Sequence, residues 1–347
     1  MTGVQPAPPK RRFSLRRKSF SPWVRVPSLV LLYCLLVPLA KFMEKTGVWS
    51  RMASRRQRRD PFLGFGDYQP DGHDVFACVY FKSGTNWLMQ ILVQIIHHGA
   101  AEFEHIHDIV PWPDSPDPNY AVPLSDESAW KNCPTGLRVI KTHRELAKVP
   151  YSPDARYVCV VRDPKDTFVS AYHFMRAEFM GPMTPSVPNF LEYFLSPVFQ
   201  FCPWAEFVAG YWGIRDRDNV LFLTYEEMKK DLRGTVRRIA EFLRVALSES
   251  EVDAVVERSS FAYMKKIEHK FETGMMVPWA KPQGAMIRRG QRNASSELLT
   301  PAQQQRIDNH CRAELERLGC DFAYDESFGL LQGVSLPATT RESVHPR

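Results

Sequence analysis

The feature that most restricts the fold of this 347-residue chain is a series of short apolar runs, each closed by a polar cluster and followed by a helical pattern. The runs are Asp74–Tyr80 (DVFACVY), Leu137–Thr142 (LRVIKT), Tyr157–Arg162 (YVCVVR) and Val220–Tyr225 (VLFLTY). They are continuously apolar rather than alternating, as strands buried on both faces must be. Helical patterns follow at Trp87–Ile96, at Pro164–Phe174, over 225–243 with a Leu232, Val236, Ile239, Ala240, Leu243 stripe, and at Pro301–Leu318. This alternation predicts an α/β domain, a mostly parallel sheet flanked by helices on both faces. Ligands in such sheets bind at the carboxyl ends of the strands, so the chemistry is sought there.

Charge sorts the rest of the chain. Residues 1–59 hold fourteen of the 45 Lys and Arg but only one of the 39 Asp and Glu, a charge of +13 that leaves −7 for the remainder. An acidic body argues against nucleic acid as a partner, because that footprint needs basic charge on the folded surface. The seven cysteines form no C-x-x-C pair, which disfavours a disulfide scaffold or a zinc module. Expected organisation is a basic leader over 1–59, a catalytic domain over 60–330 and a flexible tail over 331–347. Inside the leader, fifteen uncharged residues lie between Arg25 and Lys41. A helical span needs about 20 apolar residues, so 23–43 is expected to anchor the chain by crossing a membrane or lying in its plane, the alternative being a targeting or disordered leader. Seven basic residues on each side of this segment leave the orientation open.

Each strand end carries polar residues. After the first come Lys82, Ser83, Gly84 and Thr85, a glycine-bearing turn into a helix where backbone N–H groups and a lysine can hold a phosphate or sulfate. Ser and Thr at a helix start also serve as ordinary caps. The second ends in Lys141, Thr142 and His143, the third in Arg162, Asp163 and Pro164, with Ser170 two turns along, and the fourth in Thr224, Tyr225 and Glu226. An arginine there can grip a phosphate with two parallel bonds or pair with a helix-start Asp.

In this order the segments FKSGTNW, VIKTH, VVRDPKDTFVSAYHF, LFLTYEEMKKD and the late Arg288, Arg289, Gly290 resemble the cytosolic-type sulfotransferases, over about residues 61–325. The resemblance implies a P-loop-like sulfotransferase fold and transfer of a sulfuryl group from 3′-phosphoadenosine 5′-phosphosulfate to a hydroxyl or amine of a small acceptor. It places Lys82, Ser83, Gly84, Thr85 and Asn86 around the donor's 5′-phosphate and sulfuryl. It places Arg162, Ser170, Arg288, Arg289 and Gly290 on the 3′-phosphate. The adenine is implied against Trp87, Tyr225, Ser259 and Phe261, with His143 as catalytic base and Lys141 assisting transfer. No metal is implied, since lysines and a helix N-terminus supply positive charge. Phe81 stands where the family usually has Pro, the closing half of the loop after Gly290 departs from the pattern, and the family's dimer segment is not recognisable. The oligomeric state therefore stays open.

His105 and His107 with neighbouring acids look like metal ligands, but a lining role near the acceptor is the better reading of that run. Aromatics from Phe174 onward, with Trp204, Phe207, Tyr211 and Trp212, divide between core and acceptor pocket. A sequon at Asn293 beside the donor site favours a cytoplasmic catalytic domain on a membrane-associated chain, and the leader suggests a lipid-like or apolar acceptor. Two other readings stand beside this one. A P-loop kinase would need a lysine after the glycine and carboxylates for Mg²⁺. A non-catalytic membrane adaptor would keep the fold and lose Lys82 or His143.

Overall fold

The computed structural model describes residues 27, 29–46, 64–115, 117, 119–272, 286–287 and 295–330. Four strands, β1 (Asp74–Val79), β2 (Arg138–Thr142), β3 (Arg156–Val161) and β4 (Val220–Thr224), form one parallel sheet in the order β2-β1-β3-β4. Each predicted run is present to within a residue or two. Along β1, Phe76 and Cys78 point into one core layer and Val75, Ala77 and Val79 into the other. Both faces are thus buried, which is why these strands read as unbroken apolar runs.

The helices are α1 (Val37–Lys45), α2 (Thr85–Ile96), α3 (Pro164–Phe174), α4 (Val187–Phe194), α5 (Trp204–Trp212), α6 (Tyr225–Lys230), α7 (Leu232–Leu243), α8 (Glu249–Arg258), α9 (Phe261–Lys266) and α10 (Pro301–Arg317). Helices α2, α7 and α8 cover one face of the sheet, while α3, α4, α5 and α10 cover the other. Their starts are dictated locally. Pro164 opens α3 behind Asp163, whose carboxylate accepts from the Lys165 N–H, and Thr224 and Glu227 cap α6 reciprocally. The single helix expected over 225–243 is two helices. Asp231, extended at φ −144°, breaks it and caps the second by accepting from the Gly234 N–H.

The leader continues as a π-helical turn at Leu32–Leu36 leading into α1. Among the described residues no helix is long and apolar enough to cross a membrane. The spanning form of the anchor expected at 23–43 therefore has no support, and residues 23–26 and 28 of it, with the tail at 331–347, lie outside the described residues.

Candidate active site

The first polar turn is built under strain. Lys82 adopts φ 62° and Gly84 φ 98°, so the chain turns sharply before Thr85 opens α2. Gly84 is required twice over. Its φ suits glycine, and a Cβ there would stand 2.9 Å from the Tyr225 ring. Tyr225 lies edge-on to Trp87 at 5.3 Å, and the Arg162 guanidinium lies 4.5 Å from the Tyr225 ring centre. The Trp87 indole N–H donates to the Ser259 carbonyl at 2.8 Å, tying α2 to the end of α8. Four sequence-distant groups, Lys82–Trp87, Arg162, Tyr225 and Ser259, thereby meet at the carboxyl ends of β1, β3 and β4.

Two hydroxyls in this cradle, Ser83 Oγ and Ser259 Oγ, are buried without a hydrogen-bond partner. Buried donors left unmade cost about 1–3 kcal/mol each, so such groups mark a place for a polar ligand. The cradle fits an anionic nucleotide: a helix start, an arginine, a lysine, two aromatic rings and two waiting hydroxyls. Arg162 also pairs with Asp166 at 3.2 Å, and its carbonyl accepts from the Trp204 indole. Asn86 and Ser170, on α2 and α3, are half-buried. Phe261, at the start of α9, is 48% exposed, and Arg288, Arg289 and Gly290 lie outside the described residues.

A cleft lined by Trp112, Asp114, His143, Gln200 and Phe201, among others, adjoins the end of β2. His143 Nδ1 lies 2.8 Å from the Val79 carbonyl. A carbonyl can only accept, so Nδ1 carries the proton and Nε2 keeps its lone pair. Burial, then the Lys141 and Lys82 charges, push the imidazole down to about 3, against the Val79 bond. Lys141 Nζ sits 3.3 Å above the Trp112 ring. Burial lowers it to about 7, with Asp114 opposing and Lys82 adding to the fall.

Asp114 is the residue that sequence reasoning missed. Its Oδ2 accepts from the His143 backbone N–H at 3.0 Å while Oδ1 is buried without a partner. Burial raises it to about 6, opposed by the His143 N–H and by Lys141 and Arg144. Its only sequence signal is an acid next to the Pro-Trp-Pro segment, and nothing local ties that loop to His143.

Phe81, the residue in place of proline, is buried behind the cleft and backs its Phe201 and His143 wall. It stacks on Phe201 at 3.7 Å, meets His143 edge-on at 6.1 Å and touches Phe174 at 5.6 Å. Trp204, Phe207 and Tyr211 are core residues, whereas Phe174 also carries Lys82 Nζ 3.9 Å from its ring centre. His107 donates from Nδ1 to the Val110 carbonyl and stacks on Trp112, and His105 reaches the Glu272 carbonyl. Both histidines are thus spoken for as packing behind the cleft. No group of His, Cys, Asp and Glu among the described residues is arranged to hold a metal ion.

Residues 72–319 match the family model described as Sulfotransferase domain. Sulfotransferase 2B1 of Rattus norvegicus is 31% identical over 265 residues, covering 73% of this chain and 74% of that protein. Amine sulfotransferase of Oryctolagus cuniculus is 30% identical over 269 residues, covering 75% and 86%. A mouse sulfotransferase solved in complex with PAP superposes with a TM-score of 0.54 at 25% identity, over 75% of this chain and 90% of that one. Retinol dehydratase solved with retinol and PAP shares the fold, with a TM-score of 0.56 at 22% identity over 74% and 84%.

Proposed function

The chain belongs to the sulfotransferase family, and from that premise we propose that it moves a sulfuryl group onto a hydroxyl or amine of a small, apolar acceptor, with His143 as base. The donor of such enzymes, 3′-phosphoadenosine 5′-phosphosulfate, supplies the activated sulfuryl group when bound. Membership sets aside the kinase reading, in keeping with a lysine that precedes Gly84 instead of following it. The adaptor reading loses its motive, because Lys82 and His143 are both retained.

The single observation that carries the proposal is His143 held by the Val79 carbonyl in the tautomer a base needs, on the wall of an aromatic cleft. A hydroxyl is a weak nucleophile until its proton leaves, and a positioned Nε2 lone pair takes it. Lys141 and Lys82, at the ends of β2 and β1, face the charge that grows on oxygens around sulfur in the transition state. Cations buried near developing anionic charge stabilise that state more than the ground state. Lys82, Ser83, Gly84, Thr85, Asn86 and Arg162 are assigned to the donor's anionic groups, with Ser170, Arg288, Arg289 and Gly290 completing its 3′-phosphate site. Trp87, Tyr225, Ser259 and Phe261 are assigned to the donor's adenine. Phe201 and Trp112 on the cleft wall favour an apolar acceptor, and the family resemblance favours a cytoplasmic catalytic domain.

The test is His143→Ala, assayed for sulfuryl transfer to phenols and alcohols and, separately, for PAP affinity. Turnover is expected to fall by about 10²–10⁴-fold with PAP affinity unchanged. Loss of both together would remove His143 from the role of base.

A further inference from the structure

The leader segment rests one side on the catalytic domain. Leu32 is buried, and the Glu44 carboxylate accepts from the Ser186 N–H at 2.8 Å, from Ser186 Oγ at 2.6 Å and from Asn189 Nδ2 at 2.6 Å. Lys41 bonds Glu44 at 3.2 Å and reaches the Thr184 carbonyl at 3.4 Å. Burial alone would raise the Glu44 carboxyl, yet these donors hold it down at about 2. The contact is therefore a bonded seat and not a chance approach.

Away from that seat the segment is largely apolar and exposed. Leu31, Tyr33, Leu35, Leu36, Leu39 and Phe42 stand 39% to 63% exposed, and no charged residue interrupts them before Lys41. Exposed apolar residues gathered in one short segment mark a surface meant to be covered. Charge identifies the cover. The leader's single acid, Glu44, is committed to the catalytic domain together with Lys41, while thirteen other basic residues flank or follow the apolar stretch. Apolar surface between cationic stretches complements an anionic lipid surface, each basic residue near it adding about 1 kcal/mol. The run from Leu29 to Ala40 rises about 18 Å at 1.5 Å per residue, well short of the roughly 30 Å hydrocarbon layer, so it suits the plane of the interface.

We propose that this face of the leader docks in the plane of an anionic lipid surface and, through Glu44, seats the segment 181–189 against it. That segment follows the π-helical continuation of α3, at whose junction Phe174 meets Phe81 and Lys82. Lipid would then lie on the side of the domain where Phe174 and Phe81 back the cleft's Phe201 wall, which shortens the path of a bilayer-dissolved acceptor to the cleft. This last consequence rests on the acceptor reading above, whereas the docking does not.

The test uses the full chain and vesicles of phosphatidylcholine with phosphatidylserine, against pure phosphatidylcholine, read by co-flotation. Wild type is expected to float with the anionic vesicles, less so at high salt. The triple variant L35S/L39S/F42S is expected to bind at least about tenfold more weakly while keeping wild-type PAP affinity, which reports an intact catalytic domain. Glu44→Ala is expected to float normally but to lose any rate advantage for a vesicle-dissolved acceptor over a soluble one. Equal flotation of wild type and triple variant would overturn the proposal. So would resistance to alkaline carbonate extraction, the mark of a spanning segment, or a lipid-free dimer that the triple variant abolishes. Failure of sulfuryl transfer with flotation intact would instead count against the acceptor reading alone.

Discussion

Lys141 is the residue on which electrostatics acts most sharply. It is buried above Trp112, with Lys82, His105, His107 and His143 around it and Asp114 as the one acid opposing the fall. At about 7, it is charged below neutrality and loses its proton as pH rises. The apparent kcat/KM for donor, which reports free enzyme, is therefore expected to decline above about pH 7. Asp114→Asn keeps an oxygen for the His143 N–H but removes the counter-charge, so the alkaline limb should move to lower pH. An unmoved limb in that variant would show that Asp114 only shapes the loop. Gly84→Ala is the matching steric case. At φ 98°, with its new Cβ 2.9 Å from the Tyr225 ring, it forces the ring or the turn to shift. PAP affinity, measured by calorimetry, should fall by about tenfold or more, with about 1–2 kcal/mol of stability lost to the left-handed backbone.

At the scale of elements, the start of α3 decides where Arg162 sits. Asp163 caps that helix, Lys165 pairs with both Asp163 and Asp308 of α10, and Tyr324 donates to the same Asp308 at 2.7 Å. Lys165 is almost fully buried, so removing it strands two carboxylates in a low dielectric. Lys165→Met is expected to cost about 3–5 kcal/mol in denaturant unfolding, and adding Asp308→Asn should recover part of that. The same scale shows where sequence pattern fell short. Over 225–243 the apolar stripe kept its 3.6 period across Asp231, so periodicity alone joined α6 to α7. The residue that divides them acts through its backbone and its cap on Gly234, both local, and an Asp followed three residues on by Gly was the readable sign.

Across the whole molecule, buried imidazoles cost stability on acidification, while Glu226 and Asp114, raised by burial to about 7 and about 6, act with the opposite sign between about pH 7 and 4. His143 is held at about 3 and His107 well below its usual value, each chiefly by burial. An unfolded chain binds protons on both near pH 6.5 while the folded one does not, so the contribution of these two groups is lost as pH falls from about 6.5 toward 3, and it goes unopposed once Glu226 and Asp114 are protonated in both states below about pH 4. His107→Gln should blunt that loss in thermal melts taken across the range, since an amide does not titrate there. By itself the sequence determined the sheet, its parallel sense and the strand ends that bear Lys82, Lys141, His143, Arg162 and Tyr225, because continuous apolar runs and helix starts are properties of neighbouring residues. Only the tertiary structure decided which distant groups those ends would meet. Asp114 against the His143 N–H, Phe81 against Phe201, Trp87 against Ser259 and Glu44 against Ser186 are pairings across 29 to 172 positions. No local propensity encodes such pairs, since they depend on how two separate segments pack on a common sheet.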